Sequence, residues 1–176
     1  MKSIETYAVL REHLTPAFKA AGFKRASSML SWVRPEGTGY LVVWCQAAQS
    51  GWDMYSGSQF TMEFQRSAAP AVGAIPSRRR RLPKMLDDNG REEIRAIQNA
   101  VIGALRQPPP THPLLTDTES LRDWYLRKFR PVDTPYSTGD DIWLRYASEQ
   151  HVAVWAAFIL SRLPDCLKQA EAWPER

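Results

Sequence analysis

Three extended runs follow one another between Ser27 and Ser67, and they constrain the fold more than any other feature of the chain. "SSMLSWVR" alternates in polarity, the turn residues "PEGTG" follow, and "YLVVWCQAA" is almost continuously apolar. An alternating run suits an outer strand, and a continuous one suits a strand buried on both faces. "GSQFTMEFQRS" then alternates cleanly, with Phe60, Met62 and Phe64 on one side and Thr61, Glu63 and Gln65 on the other. Three such runs in succession predict an antiparallel meander with strands over 28–34, 39–48 and 58–66. "DDIWLRYA" supplies a fourth, over 141–146.

The rest of the chain reads as helix. Ile4, Tyr7, Leu10, Leu14 and Phe18 share one face of a helix over 3–21. Pro16 interrupts it, with Thr15 placed as an N-cap for a restart, so a kinked helix or two short ones is expected. Gly22 reads as a left-handed cap with Phe23 folding back. Helices are also expected over 88–106, 118–129, 148–162 and 164–173. Asp87 and Asp88, Thr118, Ser148 and Pro164 mark their starts. Residues 67–83 are small, polar and punctuated by proline and read as a loop, and "QPPPTHP" (107–113) as a proline-rich connector. Helices, strands, helices, one strand and helices make an α+β fold, a single domain over 1–176. The 176 residues are enough to bury a core.

"LTPAFKAAGFKR", "RRLPKMLDDNGREEIRAIQNAVIGAL" and "DDIWLRYASEQHVAVWAAFILSRLP" together resemble a bacterial family, the one catalogued as domain of unknown function 4304. The likeness runs from the first helix to Pro164 and rests on structural punctuation. It implies a cytoplasmic α+β domain of no established activity, and it supplies no catalytic residues.

Several function classes find no support in the residues. The longest apolar run, Val152 to Leu160, is nine residues, against about 20 for a membrane span. "MKSIETYAVLREHL" carries charges where a signal peptide is apolar, and Cys45 and Cys166 lie far apart with no metal-binding spacing. The expected location is the cytoplasm, with no membrane partner. None of the phosphate-loop, dinucleotide, nucleophile-elbow or zinc-protease motifs is present. His13, His112 and His151 lack an evident partner. Asp140 and Asp141 read as a turn rather than a partner for His151 or, with Glu149, a metal site. No catalytic residue, metal or cofactor is assigned.

Charge is uneven. The net charge is +4, made of +6 over residues 1–110 and −2 over 111–176. Arg78, Arg79, Arg80, Arg81 and Lys84 form a basic cluster that could neutralise phosphates. Asp87, Asp88, Glu92 and Glu93 follow at once, however, and no aromatic residue is interleaved for stacking. A charged loop leading into a capped helix is the preferred reading; a structural alternative has Arg78 to Arg81 anchored by acidic side chains of the C-terminal part, folding the loop onto the body. The tryptophans suggest another surface. Trp32 with Arg34, Trp44 with Gln46, and Trp143 with Arg145 each share a strand face. If those faces coincide, they form a surface typical of protein-binding hot spots; otherwise the rings belong to the core. The first functional expectation is a non-catalytic module that docks on another protein, of the immunity or antitoxin kind. The second is a nucleic-acid or polyanion binder acting through Arg78–Arg81, Lys84, Lys24 and Arg25. The third is an enzyme with an unrecognised site. Oligomeric state is not legible.

Overall fold

The computed structural model describes residues 3–26, 30–74 and 76–173. It is α+β: helices packed on a six-stranded antiparallel sheet. Ser28 and Met29, expected at the start of the first strand, lie outside the described residues.

The first helix, α1 (Ser3–Ala20), buries Thr6, Leu10, Leu14 and Phe18, a strict four-residue stripe. Ile4 was expected on that stripe but is 73% exposed. The helix runs unbroken through Pro16, and the Thr15 hydroxyl caps nothing: it is buried without a partner among the described residues. Proline removes the hydrogen bond to the carbonyl four residues back. Here that residue, Glu12, is exposed along with Pro16, so the freed carbonyl lies on the solvent side while the buried stripe continues across the proline. The C-terminus follows the expectation. Gly22 has φ 82°, the Phe23 amide donates to the Phe18 carbonyl and the Gly22 amide to that of Lys19. This is a Schellman end, and the Phe23 ring meets Phe18 edge-on at 5.3 Å.

Strands β1 (Lys24–Arg25), β2 (Leu30–Glu36), β3 (Gly39–Ala47), β4 (Ser58–Ser67) and β5 (Pro76–Arg81) lie side by side in that order. The β2–β3 hairpin turns through Gly37 and Thr38, with Gly37 at φ 59°. β6 (Leu144–Tyr146) pairs with the first residues of β4, Ser58 to Phe60, while β5 pairs with its last ones, Glu63 to Ser67. Two strands therefore share one edge of β4, end to end. β6 is shorter than the expected 141–146.

One sheet face carries Leu30, Trp32, Leu41, Val43, Cys45, Phe60, Met62, Phe64, Leu144 and Tyr146, all buried in the main core. It packs against α1 and α5 (Glu149–Glu171). Two helices were expected in place of α5, yet the chain continues straight through Pro164. The reason is the same as at Pro16: the ring lies on the exposed side. Leu163, Cys166, Leu167 and Ala170 meanwhile extend the buried stripe across the junction. Ser148 caps the helix, accepting from the His151 amide at 3.3 Å.

Residues from Leu82 to Met85 form a 3-10 turn whose Met85 carbonyl accepts from Gln169 of α5 at 2.9 Å. Asp87 then caps α2 (Asp88–Gly103), accepting from the Gly90 amide at 2.8 Å; the helix is three residues shorter than expected. α2 does more than bury an apolar stripe. The amide group of buried Gln98 donates to the Trp143 carbonyl at 3.1 Å, and its oxygen accepts from the Arg145 amide at 2.7 Å. Gln98 thus acts as a short strand against the outer edge of β6, satisfying backbone groups that an edge strand would leave open. Asn99 binds both backbone groups of Val132 in the same way. After the prolines come α3 (Pro113–Thr116) and α4 (Glu119–Leu126), then a 3-10 turn over Arg127–Phe129. The Thr118 side chain makes no capping bond to α4. No helix among the described residues is long and apolar enough to cross a membrane.

Candidate functional site

Residues 67–83 were expected to form a loop. Instead, Pro76–Arg81 is a strand, and its four arginines alternate across it. Charge complementarity takes the place of apolar pairing. Glu63 of β4 lies opposite Arg81 and is 1% exposed; Arg79 and Arg81 both donate to it, Arg81 through Nε at 3.2 Å. A buried carboxylate needs such partners, because leaving it unpaired costs several kcal/mol, roughly 3–5 when one member of a pair is lost. Two indoles complete the arrangement: the Arg79 guanidinium lies 4.9 Å from the Trp44 ring centroid and that of Arg81 lies 4.8 Å from Trp143. Arg81 also pairs with Asp141, which accepts in addition from Trp143 Nε1 at 3.2 Å. The hydrogen bond from Arg81 holds the Asp141 carboxyl below the ordinary range against a smaller upward push from burial.

Arg78 and Arg80 alternate to the other side of the strand. Arg78 reaches the Trp173 ring at 5.9 Å, whereas Arg80 is exposed and, like Lys84, has no ion pair among the described residues. The six-residue cluster of Glu63, Arg79, Arg80, Arg81, Lys84 and Asp141 lines an open groove of about 330 Å³. Four cations against two carboxylates leave it a formal surplus of two positive charges. β5 ends the sheet, and among the described residues it pairs with β4 alone. A strand edge bordered by surplus cations is what the β5 region presents to solvent.

The three tryptophan pairs do not form one surface. Trp32 faces the core, fully buried and stacked on Phe18 at 4.2 Å. Its companion Arg34 donates to the Ala21 carbonyl at 2.9 Å and pairs with Glu36 and Glu171, tying the end of α1 to the end of α5. Cations suit helix C-termini, where the unpaired carbonyls gather. Trp44, Gln46, Trp143 and Arg145 do share the second face, as the β4 register shows. Trp44 is nevertheless buried, with the Arg79 guanidinium against its ring. Large exposed apolar side chains among the described residues are scattered: Ile4, Met54, Trp124 and Val154. Lys24 and Arg25 form β1, at the opposite end of the sheet from β5.

The histidines and carboxylates fall into structural roles. His151 Nδ1 accepts from the Ala147 amide at 3.1 Å, and burial lowers the pKa of its ring. Asp140 accepts from the Ser137 amide at 2.7 Å, the turn expected of it, and Asp141 belongs to Arg81. Glu149 begins α5. His112 Nδ1 accepts from the Leu114 amide at 3.3 Å while its ring stacks on Tyr125 at 4.9 Å. Both cysteines are buried and free, and burial pushes the Cys166 thiol up to about 12 and the Cys45 thiol higher, so neither is a ready nucleophile.

Sequence reasoning missed three features here: the strand character of 76–81, the buried Glu63 beneath it, and the side-chain strand made by Gln98. The only local clue to the first was the odd-numbered pair Arg79 and Arg81, able to face one carboxylate. No family model, curated protein or solved structure matches this chain.

Proposed function

We propose that the protein is a non-catalytic binding module that takes an acidic protein segment along the β5 edge. The observation that carries this is an edge strand with one unpaired side, bordered by Arg78, Arg80 and Lys84, none of which has an ion pair among the described residues. Main-chain groups along an edge can pair with an added strand, and surrounding side chains then select it. Like charge repels a second copy of the same strand, while an acidic segment is drawn in. A protein partner is favoured over single-stranded nucleic acid because the nearby indoles are already engaged: the Arg79 and Arg81 guanidinium groups lie against Trp44 and Trp143. Single strands depend on open rings for stacking. Two free buried thiols support action in a reducing compartment, which we take to be the cytoplasm.

The test is affinity capture from a host lysate, with and without nuclease, using wild type and an Arg80→Glu/Lys84→Glu variant. One stoichiometric protein that survives nuclease and is lost with the variant is the expected result. Loss of all captured material on nuclease treatment would replace this reading with nucleic-acid binding.

A further inference from the structure

A second group of cations borders a cavity that shares no lining residue with the groove beside β5. Arg145 of β6 pairs across the sheet with Gln59 of β4, and both line a cavity of about 320 Å³. Arg127 and Lys128, from the turn after α4, form another wall, and Ser50, Ser56 and Ser58 also line it. Trp124, 42% exposed, stands at the same cavity with the Lys128 ammonium 4.2 Å from its ring centroid.

Among the described residues, no carboxylate lies within the 4.0 Å of an ion pair from Arg127, Lys128 or Arg145. Asp53 is nearby, but its oxygens already accept from the Tyr55 amide at 2.6 Å, the Ser56 amide at 2.7 Å and the Tyr125 hydroxyl at 3.0 Å. Arg145 donates through one terminal nitrogen to the Ser56 carbonyl at 2.9 Å, and its Nε is buried without a partner. The Ser56 hydroxyl, in a residue 1% exposed, is likewise unpartnered among the described residues. Other arginines drawn inward have acidic or carbonyl partners: Arg34 meets Glu36 and Glu171, Arg91 meets Asp88, and Arg66 meets the carbonyls that end α5, although the Arg91 Nε is also buried without a partner among the described residues. Burial lowers the Lys128 pKa and the neighbouring Arg145 charge lowers it further, with Asp53 offsetting only part. Crowded like charges and orphaned buried donors both destabilise a folded chain unless something satisfies them.

We infer that this cavity binds a small phosphate monoester, its phosphoryl group held by Arg145 and Lys128. A phosphoryl group carries −1.5 to −2 charges near neutral pH and three acceptor oxygens. That answers several cations at once, where a carboxylate answers fewer. Guanidinium groups bind such oxygens with directional, charge-assisted bonds. The volume is at the small end of ligand cavities, about 300–1,000 Å³, and Trp124 with Arg127 provides a wall for the body of the ester. This site is separate from β5 and does not depend on the function proposed for it.

Calorimetry and thermal unfolding with inorganic phosphate and with phosphoethanolamine, against acetate at matched ionic strength, test the inference. Both phosphates should bind and raise the unfolding midpoint, and acetate should leave it unchanged. Lys128→Gln, at a half-buried position, should weaken phosphate binding at least tenfold. The β5 variant Arg80→Glu/Lys84→Glu should bind phosphate like wild type. No phosphate-dependent shift in wild type, an equal shift with acetate, or undiminished binding by Lys128→Gln would each overturn the inference. Loss of binding in the β5 variant would do the same by moving the site to the sheet edge.

Discussion

Replacing Glu63 with Gln removes one charge from beneath β5 while keeping nearly the same shape. Glu63 is 1% exposed and accepts from both Arg79 and Arg81. Breaking a fully buried pair by deleting one partner costs roughly 3–5 kcal/mol, chiefly because the other charge is left without compensation. Here the arginines are less confined than the acid. The Arg79 side chain is 43% exposed and that of Arg81 25%, and Arg81 keeps Asp141. Water and Asp141 therefore recover about half of the loss, which leaves about 2 kcal/mol. For a chain of this length that lowers the thermal midpoint by roughly 4–8 °C. Urea unfolding of the variant, followed by far-ultraviolet circular dichroism, reads the change directly as a shifted midpoint. A double-mutant cycle with Arg81→Met should show coupling of more than about 0.5 kcal/mol, as expected for groups in contact. If Glu63→Gln unfolds within about 0.5 kcal/mol of wild type, the range of ordinary surface changes, then electrostatic pairing does not hold β5 in the sheet.

Gln98→Met should destabilise by about 2–3 kcal/mol, since it leaves the Arg145 amide and the Trp143 carbonyl without their partner. Exchange of the Arg145 amide, followed by NMR, should accelerate more than exchange elsewhere in the sheet. Burial lowers the His151 pKa in the folded chain, so the unfolded chain binds that proton first as pH falls. The stability His151 contributes is therefore present above about pH 6.5, its unfolded value, and is lost as pH drops through the folded value. An NMR titration should place the His151 midpoint below 6.5. His151→Asn, still able to accept from the Ala147 amide, should flatten the stability slope between pH 7 and 5.

Much of the fold was legible because periodicity records which side of an element meets the core. The run from Phe60 to Phe64 alternates and faces inward as it reads, and Gly22 with Phe23 ends α1 as their chemistry demands. Proline misled twice, at Pro16 and Pro164, because its effect depends on whether the freed carbonyl faces water, which no local pattern records. β5 was illegible for a different reason. Four arginines carry no strand signature, and the carboxylate that holds two of them lies 16 and 18 positions away, on another strand. Adjacency in sequence also suggested a single cluster of charge, while strand alternation divides it into an anchored pair, Arg79 and Arg81, and an outward pair, Arg78 and Arg80. The tryptophan surface failed as a unit because Trp32 and Trp44, close in sequence, sit on opposite faces of the sheet. Gln98 acts through a side chain that imitates backbone, a role that propensity does not encode.

Amide hydrogen exchange over Arg78–Arg81, read residue by residue with and without the captured acidic partner, tests the central proposal most directly. In the free protein, alternate amides of this segment should be protected by β4 and the intervening ones should exchange quickly, as in any edge strand. Partner binding should slow the fast set to the level of their neighbours. Fast exchange at every amide of the free segment, or a fast set left unchanged by the partner, would contradict the account.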